Sequence, residues 1–269
     1  MPGESSIRGT TRLAGVVGWP VEHSRSPQMH NAAYAALGMD WAYVPLAVPP
    51  ERLTDALRGL AALGFAGVNV TIPHKQAAAG LVDELSDAAG DAGSVNTVLV
   101  RDDRSLRGET TDGDGLLDAL GDVPEGRAVV LGAGGSARSV VAALRSAGID
   151  VAVSARRPEA ADALGAPMVE WPLREPAGLI VNATPVAQRG DASELPLDPA
   201  ALDGTAVVCD LVYRADGVRT GLLAEAERRG ARTVDGLAVL VGQGARSFRM
   251  FTGAEPPVDV MDAAARGRA

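Results

Sequence analysis

The chain has 269 residues, 46% of them hydrophobic but only 3% aromatic, so it is long enough for one large or two smaller domains with mainly aliphatic cores. Its formal net charge is −9 with scattered arginines, which argues against a nucleic-acid partner. No run approaches the roughly 20 apolar residues of a membrane helix. One cysteine, Cys209, and three histidines without ligand spacing exclude a disulfide framework and predict no metal site.

The amino-terminal residues lack the charged-then-apolar layout of a secretory signal, and a cytoplasmic protein is therefore expected. Lys75 is the one lysine among 25 basic side chains. A GC-rich genome that favours arginine codons accounts for this ratio. Arginine stays protonated at any working pH, however, whereas lysine can exchange a proton. Composition alone leaves two explanations open for Lys75, a proton-transfer role or chance survival.

Strand-like and helix-like segments alternate through the first part of the chain. Apolar runs predict strands at residues 13–17, 42–48, 68–70 and 95–100. The spacing of apolar residues predicts helices from Pro27 onwards and over 50–63.

The alternation continues after Asp112. Helices are predicted at 113–120 and 136–147, and strands at 128–131, 150–154, 179–182 and 207–210. The polar segment 187–202 is predicted to be a surface loop, and helices at 234–252 and 258–266 are expected to pack back on the first domain. Repeated strand–helix alternation predicts an α/β fold with a parallel sheet covered by helices on both faces.

A glycine-rich loop follows the strand at 128–131 and opens a helix. Gly132 permits a tight turn, Gly134 lets a pyrophosphate approach the backbone, and Ala137 lets helix and strand pack closely. The free N–H groups at the helix start bind phosphate. The strand–loop–helix context favours a dinucleotide site over a purely structural glycine turn.

The end of the next strand, about 20 residues later, discriminates between cofactors. An acidic residue there would bind the ribose 2′-OH of NAD, but the chain reads Ser154-Ala-Arg-Arg157. Arg156 and Arg157 can bind a 2′-phosphate by charge and paired hydrogen bonds, although arginine pairs are also common in solvated turns. The position favours NADP.

Polar clusters stand out in the first part of the chain. They are HSRSP at 23–27, NVTIPHK at 69–75, Asn96-Thr97 and Thr111-Asp-Gly113. Taken singly, Ser26 could cap a helix and Asn69 could satisfy a turn. Later in the chain stand Asn182-Ala-Thr-Pro185, Asp210-Leu-Val-Tyr213, Gly236-Leu and Leu240-Val-Gly-Gln243. Together these motifs resemble the shikimate dehydrogenase family and follow its order along almost the whole chain.

The resemblance implies a substrate-binding domain at 1–111 and 237–269 and an NADP-binding Rossmann-like domain at 112–236, with a doubly wound parallel sheet. It implies a catalytic pair, Lys75 and Asp112. The residues implied for substrate binding are Ser24, Ser26, Thr71, Lys75, Asn96, Asp112, Tyr213 and Gln243. Those implied for the cofactor are Gly132, Ala133, Gly134, Gly135, Ser136, Ala137, Ser154, Ala155, Arg156, Arg157, Thr184, Leu211 and Gly236.

The activity implied is reversible, NADP-dependent reduction of 3-dehydroshikimate to shikimate, on the pathway to chorismate and the aromatic amino acids, by a monomer or homodimer. Hydride transfer to a ketone leaves an alkoxide, which the Lys75 ammonium would protonate while Asp112 orients it. Two departures from the family's pattern, Thr110 in place of Asn and Ala187 in place of Gly, concern the cofactor contacts. The alternatives are a quinate or dual quinate/shikimate dehydrogenase, and a non-catalytic NADP-binding sensor.

Overall fold

The structure is a computed structural model that describes residues 7–162, 164–188, 191, 193–214 and 216–268. The chain forms two compact units, Met1–Thr111 with Gln243–Ala269, and Asp112–Gly242. The second boundary falls inside the helix Gly236–Thr252, six residues after the position expected from the sequence. The helix therefore begins in one unit and ends in the other.

The first unit is built on a six-stranded mixed sheet with the strand order β2-β1-β3-β5-β6-β4. β1 runs parallel to β2 and β3, whereas β5 is antiparallel to both β3 and β6. Its elements are β1 (Arg12–Gly18), α1 (Ser26–Ala36), β2 (Trp41–Ala47), a 3-10 helix (Pro50–Arg52), α2 (Leu53–Ala62), β3 (Gly67–Val70), α3 (Lys75–Ala79), β4 (Glu84–Leu85), α4 (Asp87–Ala92), β5 (Thr97–Val100) and β6 (Leu106–Glu109).

Helix α2 shows how the sequence forms the core of this unit. Leu53, Leu57 and Leu60 recur at the spacing that places them on one helical face, and all three are buried. They belong to one apolar cluster with Val68 and Val70 of β3. The packing fixes β3 in the middle of the sheet, so the residues that follow it have a defined position.

The second unit contains a six-stranded sheet in which every neighbouring pair is parallel, in the order β12-β11-β10-β7-β8-β9. The elements from here on are α5 (Asp112–Leu120), β7 (Ala128–Leu131), α6 (Gly135–Ser146), β8 (Val151–Ser154), α7 (Pro158–Asp162), β9 (Met168–Val169), β10 (Leu179–Asn182), a 3-10 helix (Pro199–Leu202), β11 (Val207–Asp210), α8 (Gly221–Arg228), β12 (Arg232–Val234), α9 (Gly236–Thr252) and α10 (Val258–Ala265).

After β7 the chain places β8 on one side and later β10 on the other, so the strand order reverses at β7. In open α/β sheets, ligands bind outside the carboxyl ends of the strands at such a reversal. The predicted α/β fold class is confirmed. The helices α9 and α10 also return to the first unit as expected, since α10 packs against α1.

The prediction of a surface loop at 187–202 is wrong for its second half. Residues 189, 190 and 192 lie outside the described residues. Leu197 is buried, and the segment ends in the 3-10 helix Pro199–Leu202, where Ala201 and Leu202 are fully buried in an apolar cluster with Val208. Proline and polar residues dominate the sequence of this segment, so its pattern did not indicate the few apolar side chains that pack against the sheet.

Candidate active site

Four predicted polar segments of the first unit are brought to one edge of its sheet, here called the first-sheet edge. Val17 of β1 lies opposite Val70 of the parallel β3, so the loops that follow these strands are adjacent. β5 is antiparallel to β3, with Thr97 opposite Asn69, and β6 pairs Glu109 with Thr97. The start of β5 and the end of β6 therefore lie at the same edge as the end of β3.

The loop after β1 contains the two predicted substrate-binding serines. Ser24 and Ser26 are both largely buried, and the Ser26 N–H donates to Ser24 Oγ at 3.3 Å. Arg25 occupies the N-cap position of α1, and no side chain caps this helix by a hydrogen bond. Ser26 therefore does not serve as the helix cap, which was the structural alternative for this residue.

The segment after β3 turns directly into α3. The Thr71 N–H donates to Val17 O at 2.9 Å, which joins it to the end of β1. His74 is 1% exposed and its Nε2 donates to Val48 O at 2.7 Å. Lys75 is the first residue of α3, and its carbonyl accepts from Val95 N at 2.9 Å. Lys75 is thus anchored by its backbone beside the segment that leads to Asn96.

Asn96 and Gln243, predicted from distant parts of the sequence, are brought together. Asn96 Nδ2 lies 3.4 Å from Gln243 Oε1 and donates to Thr111 Oγ1 at 2.9 Å, while Asn96 Oδ1 accepts from Thr111 N at 2.8 Å. Asn96, Thr111 and Gln243 are all largely buried. This network holds Thr111, the residue before Asp112, at the first-sheet edge.

Two further residues of this network, Asn69 and Tyr43, were not predicted as site residues. Tyr43 Oη donates to Asn69 Oδ1 at 2.7 Å, and Asn69 Nδ2 donates to Thr97 Oγ1 at 3.0 Å and to Asn96 O at 3.3 Å. Asn69 therefore supports the backbone of Asn96. The sequence signal for Asn69 was its place in the NVTIPHK segment, but no sequence pattern pointed to Tyr43.

The second unit brings the predicted cofactor segments to the carboxyl edge of its parallel sheet, here called the second-sheet edge. Leu131 lies opposite Ser154 on one side and Asn182 on the other, and Asn182 lies opposite Asp210. The glycine loop, the arginine pair, Thr184 and Leu211 all follow directly from these strand ends.

The glycine loop has the geometry that phosphate binding requires. Gly132 has a φ of +101°, and a Cβ atom there would lie 3.1 Å from Thr184 Cγ2. A Cβ atom on Gly134 would meet no atom within 4 Å, so the backbone of this residue faces open space at the start of α6. Ala137 is fully buried against the core. Ala133, Gly135 and Ser136 complete the loop and the first turn of α6, whose N-terminal N–H groups suit a diphosphate.

Arg156 and Arg157 are exposed immediately beyond β8, whereas Ala155 is largely buried. Ser154, also predicted to contact the cofactor, is fully buried, and its hydroxyl donates to Glu170 O at 2.6 Å. That hydrogen bond ties β8 to the segment after β9. The two arginines thus project from a strand end whose backbone is fixed.

Gly236 lies directly against Leu211, because a Cβ atom on Gly236 would come within 2.6 Å of Leu211 O. Asp112 is the first residue of α5, and Gly113 lets α5 approach α6, since a Cβ atom there would lie 2.4 Å from Ala143 Cβ. Tyr213 is half-buried in the segment that follows β11.

Asp210 is a titratable group at the second-sheet edge whose pKa is clearly shifted. Burial raises the pKa of its carboxyl to about 6, against the hydrogen bonds from Thr220, Val212 and Asn182 that favour the charged form. Among the described residues, no group of three or more His, Cys, Asp or Glu side chains could hold a metal ion. In the same residues, no helix has the length and apolar character needed to cross a bilayer.

Comparison with known proteins identifies the family. A model described as the shikimate dehydrogenase substrate binding domain matches residues 16–98, and one described as the shikimate 5′-dehydrogenase C-terminal domain matches residues 236–266. The shikimate dehydrogenase (NADP(+)) of Citrifermentans bemidjiense is 47% identical over 98% of this chain and 97% of its own length. The chain belongs to the shikimate dehydrogenase family.

A second member of the shikimate dehydrogenase family, from Rubrobacter xylanophilus, is 45% identical over 97% of this chain and 98% of its own length. Among solved structures, the shikimate 5-dehydrogenase of Thermus thermophilus in complex with NADP(H) and shikimate superposes with a TM-score of 0.89. It is 40% identical and covers 96% of this chain and all of its own.

One departure from the shikimate dehydrogenase pattern has a visible structural consequence. Ala187 adopts a φ of +62°, a left-handed backbone conformation that favours glycine, and it is almost fully buried. Its carbonyl accepts from Arg214 Nη1 at 2.9 Å. The turn for which the resemblance implies glycine is thus formed with alanine, and it is tied to the segment after β11.

Proposed function

We propose that this chain is an NADP-dependent shikimate dehydrogenase that reversibly reduces 3-dehydroshikimate to shikimate. The observation that carries the proposal is the near-full-length similarity to proteins of that name, together with the clustering of the expected residues at two sheet edges. Bound NADPH would supply the hydride. The protein's own side chains and backbone groups would bind the two ligands and supply the proton.

At the first-sheet edge, Ser24, Ser26, Thr71, Asn96 and Gln243 supply hydroxyl and amide groups that suit the hydroxyls and carboxylate of shikimate. Buried amides such as those of Asn96 and Gln243 discriminate strongly between ligands, because a ligand that lacks the matching polar group leaves them unpaired. Tyr213 is assigned to the same substrate through its phenolic group.

Lys75 is assigned the proton transfer. In the direction of reduction its ammonium protonates the developing alkoxide at the carbonyl oxygen and stabilises the negative charge. In the direction of oxidation its neutral amine accepts the hydroxyl proton. Asp112 is assigned the orientation of the Lys75 ammonium and the substrate hydroxyl, because a carboxylate can accept hydrogen bonds from both groups.

At the second-sheet edge, residues 132–137 hold the diphosphate with backbone N–H groups, and Arg156 and Arg157 bind the 2′-phosphate of NADP. Thr184, Leu211 and Gly236 line the remainder of the cofactor site. The backbone geometry of Gly132 and Gly134 supports this assignment, because the positive φ of Gly132 permits the tight turn and Gly134 leaves room for a ligand close to the main chain.

The test is the absorbance change of NADP(H) in four reactions with the purified protein, combining NADP or NAD with shikimate or quinate. The proposal expects turnover with NADP and shikimate at a catalytic efficiency well above the other combinations. A preference for quinate would make quinate the substrate in place of shikimate, and a preference for NAD would make NAD the cofactor in place of NADP. Tight NADPH binding without turnover on either substrate would indicate a sensor.

A further inference from the structure

Two fully buried polar side chains face each other at the second-sheet edge, outside the residues assigned to either ligand. Asn182 ends β10 and Asp210 ends β11, and the two lie opposite each other in the sheet register. Asn182 Nδ2 donates to Asp210 Oδ1 at 2.8 Å. Polar groups at such depth lower stability unless they are fully hydrogen-bonded, so each of their contacts is informative.

Asn182 connects two segments that are assigned to the cofactor. Its Oδ1 accepts from Thr184 N at 3.0 Å and from Thr184 Oγ1 at 2.7 Å. Its backbone oxygen accepts from Leu211 N at 3.0 Å. The Asn182 side chain thereby fixes the position of Thr184 after β10, whereas its backbone holds the start of the segment after β11.

Asp210 determines which way the Asn182 amide points. Its Oδ1 also accepts from Val212 N at 3.0 Å, and its Oδ2 accepts from Thr220 Oγ1 at 2.6 Å. An ionised carboxylate only accepts hydrogen bonds, so it requires the nitrogen of Asn182 and leaves the amide oxygen for Thr184. The same carboxylate anchors the segment between β11 and α8 at both ends.

We propose that Asn182 and Asp210 form a positioning pair for the nucleotide cofactor, which acts through Thr184 and through the backbone of Val212, the residue after Leu211, without touching the cofactor. The inference rests on the proposed function, because it takes NADP as the ligand of the second-sheet edge. It extends the cofactor site to two residues whose side chains are wholly enclosed in the protein.

The decisive measurement is the dissociation constant of NADP+ in the absence of substrate, paired with the melting temperature. Asn182→Ala removes the acceptor for Thr184 and the donor to Asp210, so Thr184 loses its fixed position and NADP+ binding should weaken by about tenfold or more. Asp210→Ala removes the acceptor of Asn182, Val212 and Thr220, and it should weaken NADP+ binding to a similar extent. Asp210→Asn keeps an oxygen for Asn182 and Val212, and it should restore most of the affinity that Asp210→Ala loses.

Thr205→Val is the matched control. Thr205 is 4% exposed, its Oγ1 accepts from Ala177 N at 3.1 Å and donates to Ala201 O at 2.7 Å, and it lies before β11 at the opposite edge of the sheet. The variant loses a comparable number of buried hydrogen bonds. It should therefore lower the melting temperature but leave the affinity for NADP+ unchanged.

Asn182→Asp gives a second test if Asn182→Ala does not fold. It keeps the side-chain shape but places a second carboxylate against Asp210. The two carboxylates repel each other when both are ionised, and they form a hydrogen bond when one of them is protonated at lower pH. Its affinity for NADP+, relative to the wild type at the same pH, should be low at pH 8 and recover towards pH 5.5.

The outcomes separate the inference from the proposed function. If the wild type binds no NADP+, both are overturned. If the wild type binds NADP+ and both Asn182 variants bind it equally well at every pH, the inference alone is overturned. The same holds if Thr205→Val weakens binding as much as Asn182→Ala, because the effect would then be general destabilisation.

Discussion

At the scale of single residues, Lys75 offers the most direct test. Lys75→Ala removes the proton donor and the positive charge, so turnover should fall by about 10²–10⁴-fold, the usual contribution of general acid–base catalysis. Binding of NADPH, measured by direct titration, should remain close to the wild type. Lys75→Arg is the informative control, because arginine restores the charge but does not release a proton near neutral pH.

We expect Lys75→Arg to remain nearly as inactive as the alanine variant. Recovery of activity by arginine would show that charge alone suffices, and the proton would then come from another donor. Near-normal turnover in Lys75→Ala would remove this residue from the mechanism altogether.

The arginine pair after β8 determines the choice of cofactor in our proposal. Changing Arg156 and Arg157 together to alanine should lower the catalytic efficiency with NADP by about 10- to 100-fold, as expected for charge-assisted hydrogen bonds to a phosphate, and leave the efficiency with NAD nearly constant. Arg127→Ala is a suitable control, because Arg127 precedes β7 at the opposite edge of the sheet and is similarly exposed. An equal loss with both cofactors would argue against recognition of the 2′-phosphate.

At the scale of elements, the hydrogen bond from Tyr43 on β2 to Asn69 on β3 supports Asn96, the residue immediately before β5. Tyr43→Phe leaves Asn69 Oδ1 with the weaker bond from Ser247 at 3.3 Å. The KM for shikimate should rise several-fold, which corresponds to about 1 kcal/mol for one buried hydrogen bond. The dissociation constant of NADPH should not change.

Tyr34→Phe provides the comparison for this effect. Tyr34 is also buried, and its ring contacts the same His30 ring as Tyr43 does, but its hydroxyl has no hydrogen-bond partner in the described part of the chain. Removing that hydroxyl should leave the KM for shikimate unchanged. If both phenylalanine variants raise the KM equally, the aromatic packing rather than the Tyr43–Asn69 bond supports the site.

Elements with a strong local pattern could be predicted from the sequence. Residues 128–131, 179–182 and 207–210 are short apolar runs bounded by turn residues, and the strands found there have the predicted bounds. The helix Lys75–Ala79 and the strand Glu84–Leu85 were missed, because they are too short for a periodic pattern. β4 is a strand through its pairing with β6, which is a tertiary effect that local sequence does not encode.

The same distinction applies to the candidate site. Residues within a motif, such as Lys75 and Gly132, could be assigned because the motif places several chemical groups at fixed spacing. Tyr43 and Asp210 act through partners 26 and 28 residues away in the chain, and their roles depend on strand register. The sequence supplied Asn182 and Asp210 as parts of two separate motifs but not the hydrogen bond that joins them.

At the scale of the whole molecule, burial shifts the pKa values of two groups, one in each unit, in opposite directions. Burial lowers the pKa of His30 from 6.5 to about 3, so the folded chain keeps this ring neutral while the unfolded chain protonates it below pH 6.5. The pKa of Asp210 is raised from 3.8 to about 6, so as the pH falls this carboxyl is protonated in the folded chain before it is protonated in the unfolded chain. Between about pH 4 and pH 6, acidification therefore weakens folding through His30 and strengthens it through Asp210.

Replacing each group in turn separates the two effects. His30 stacks on Tyr43 with a centroid distance of 4.2 Å, and neither ring nitrogen has a hydrogen-bond partner in the described residues, so phenylalanine can take its place. The stability gained by His30→Phe should increase as the pH falls below 6.5, to about 2 kcal/mol at pH 5, because each pH unit contributes about 1.4 kcal/mol. The gain from Asp210→Asn should instead be largest above pH 6, at up to about 3 kcal/mol, and disappear towards pH 4. Melting temperatures of the wild type and both variants at pH 4.5, 6 and 8 distinguish the slopes, and a pH-independent difference for either variant would mean that its group titrates alike in the folded and unfolded chain.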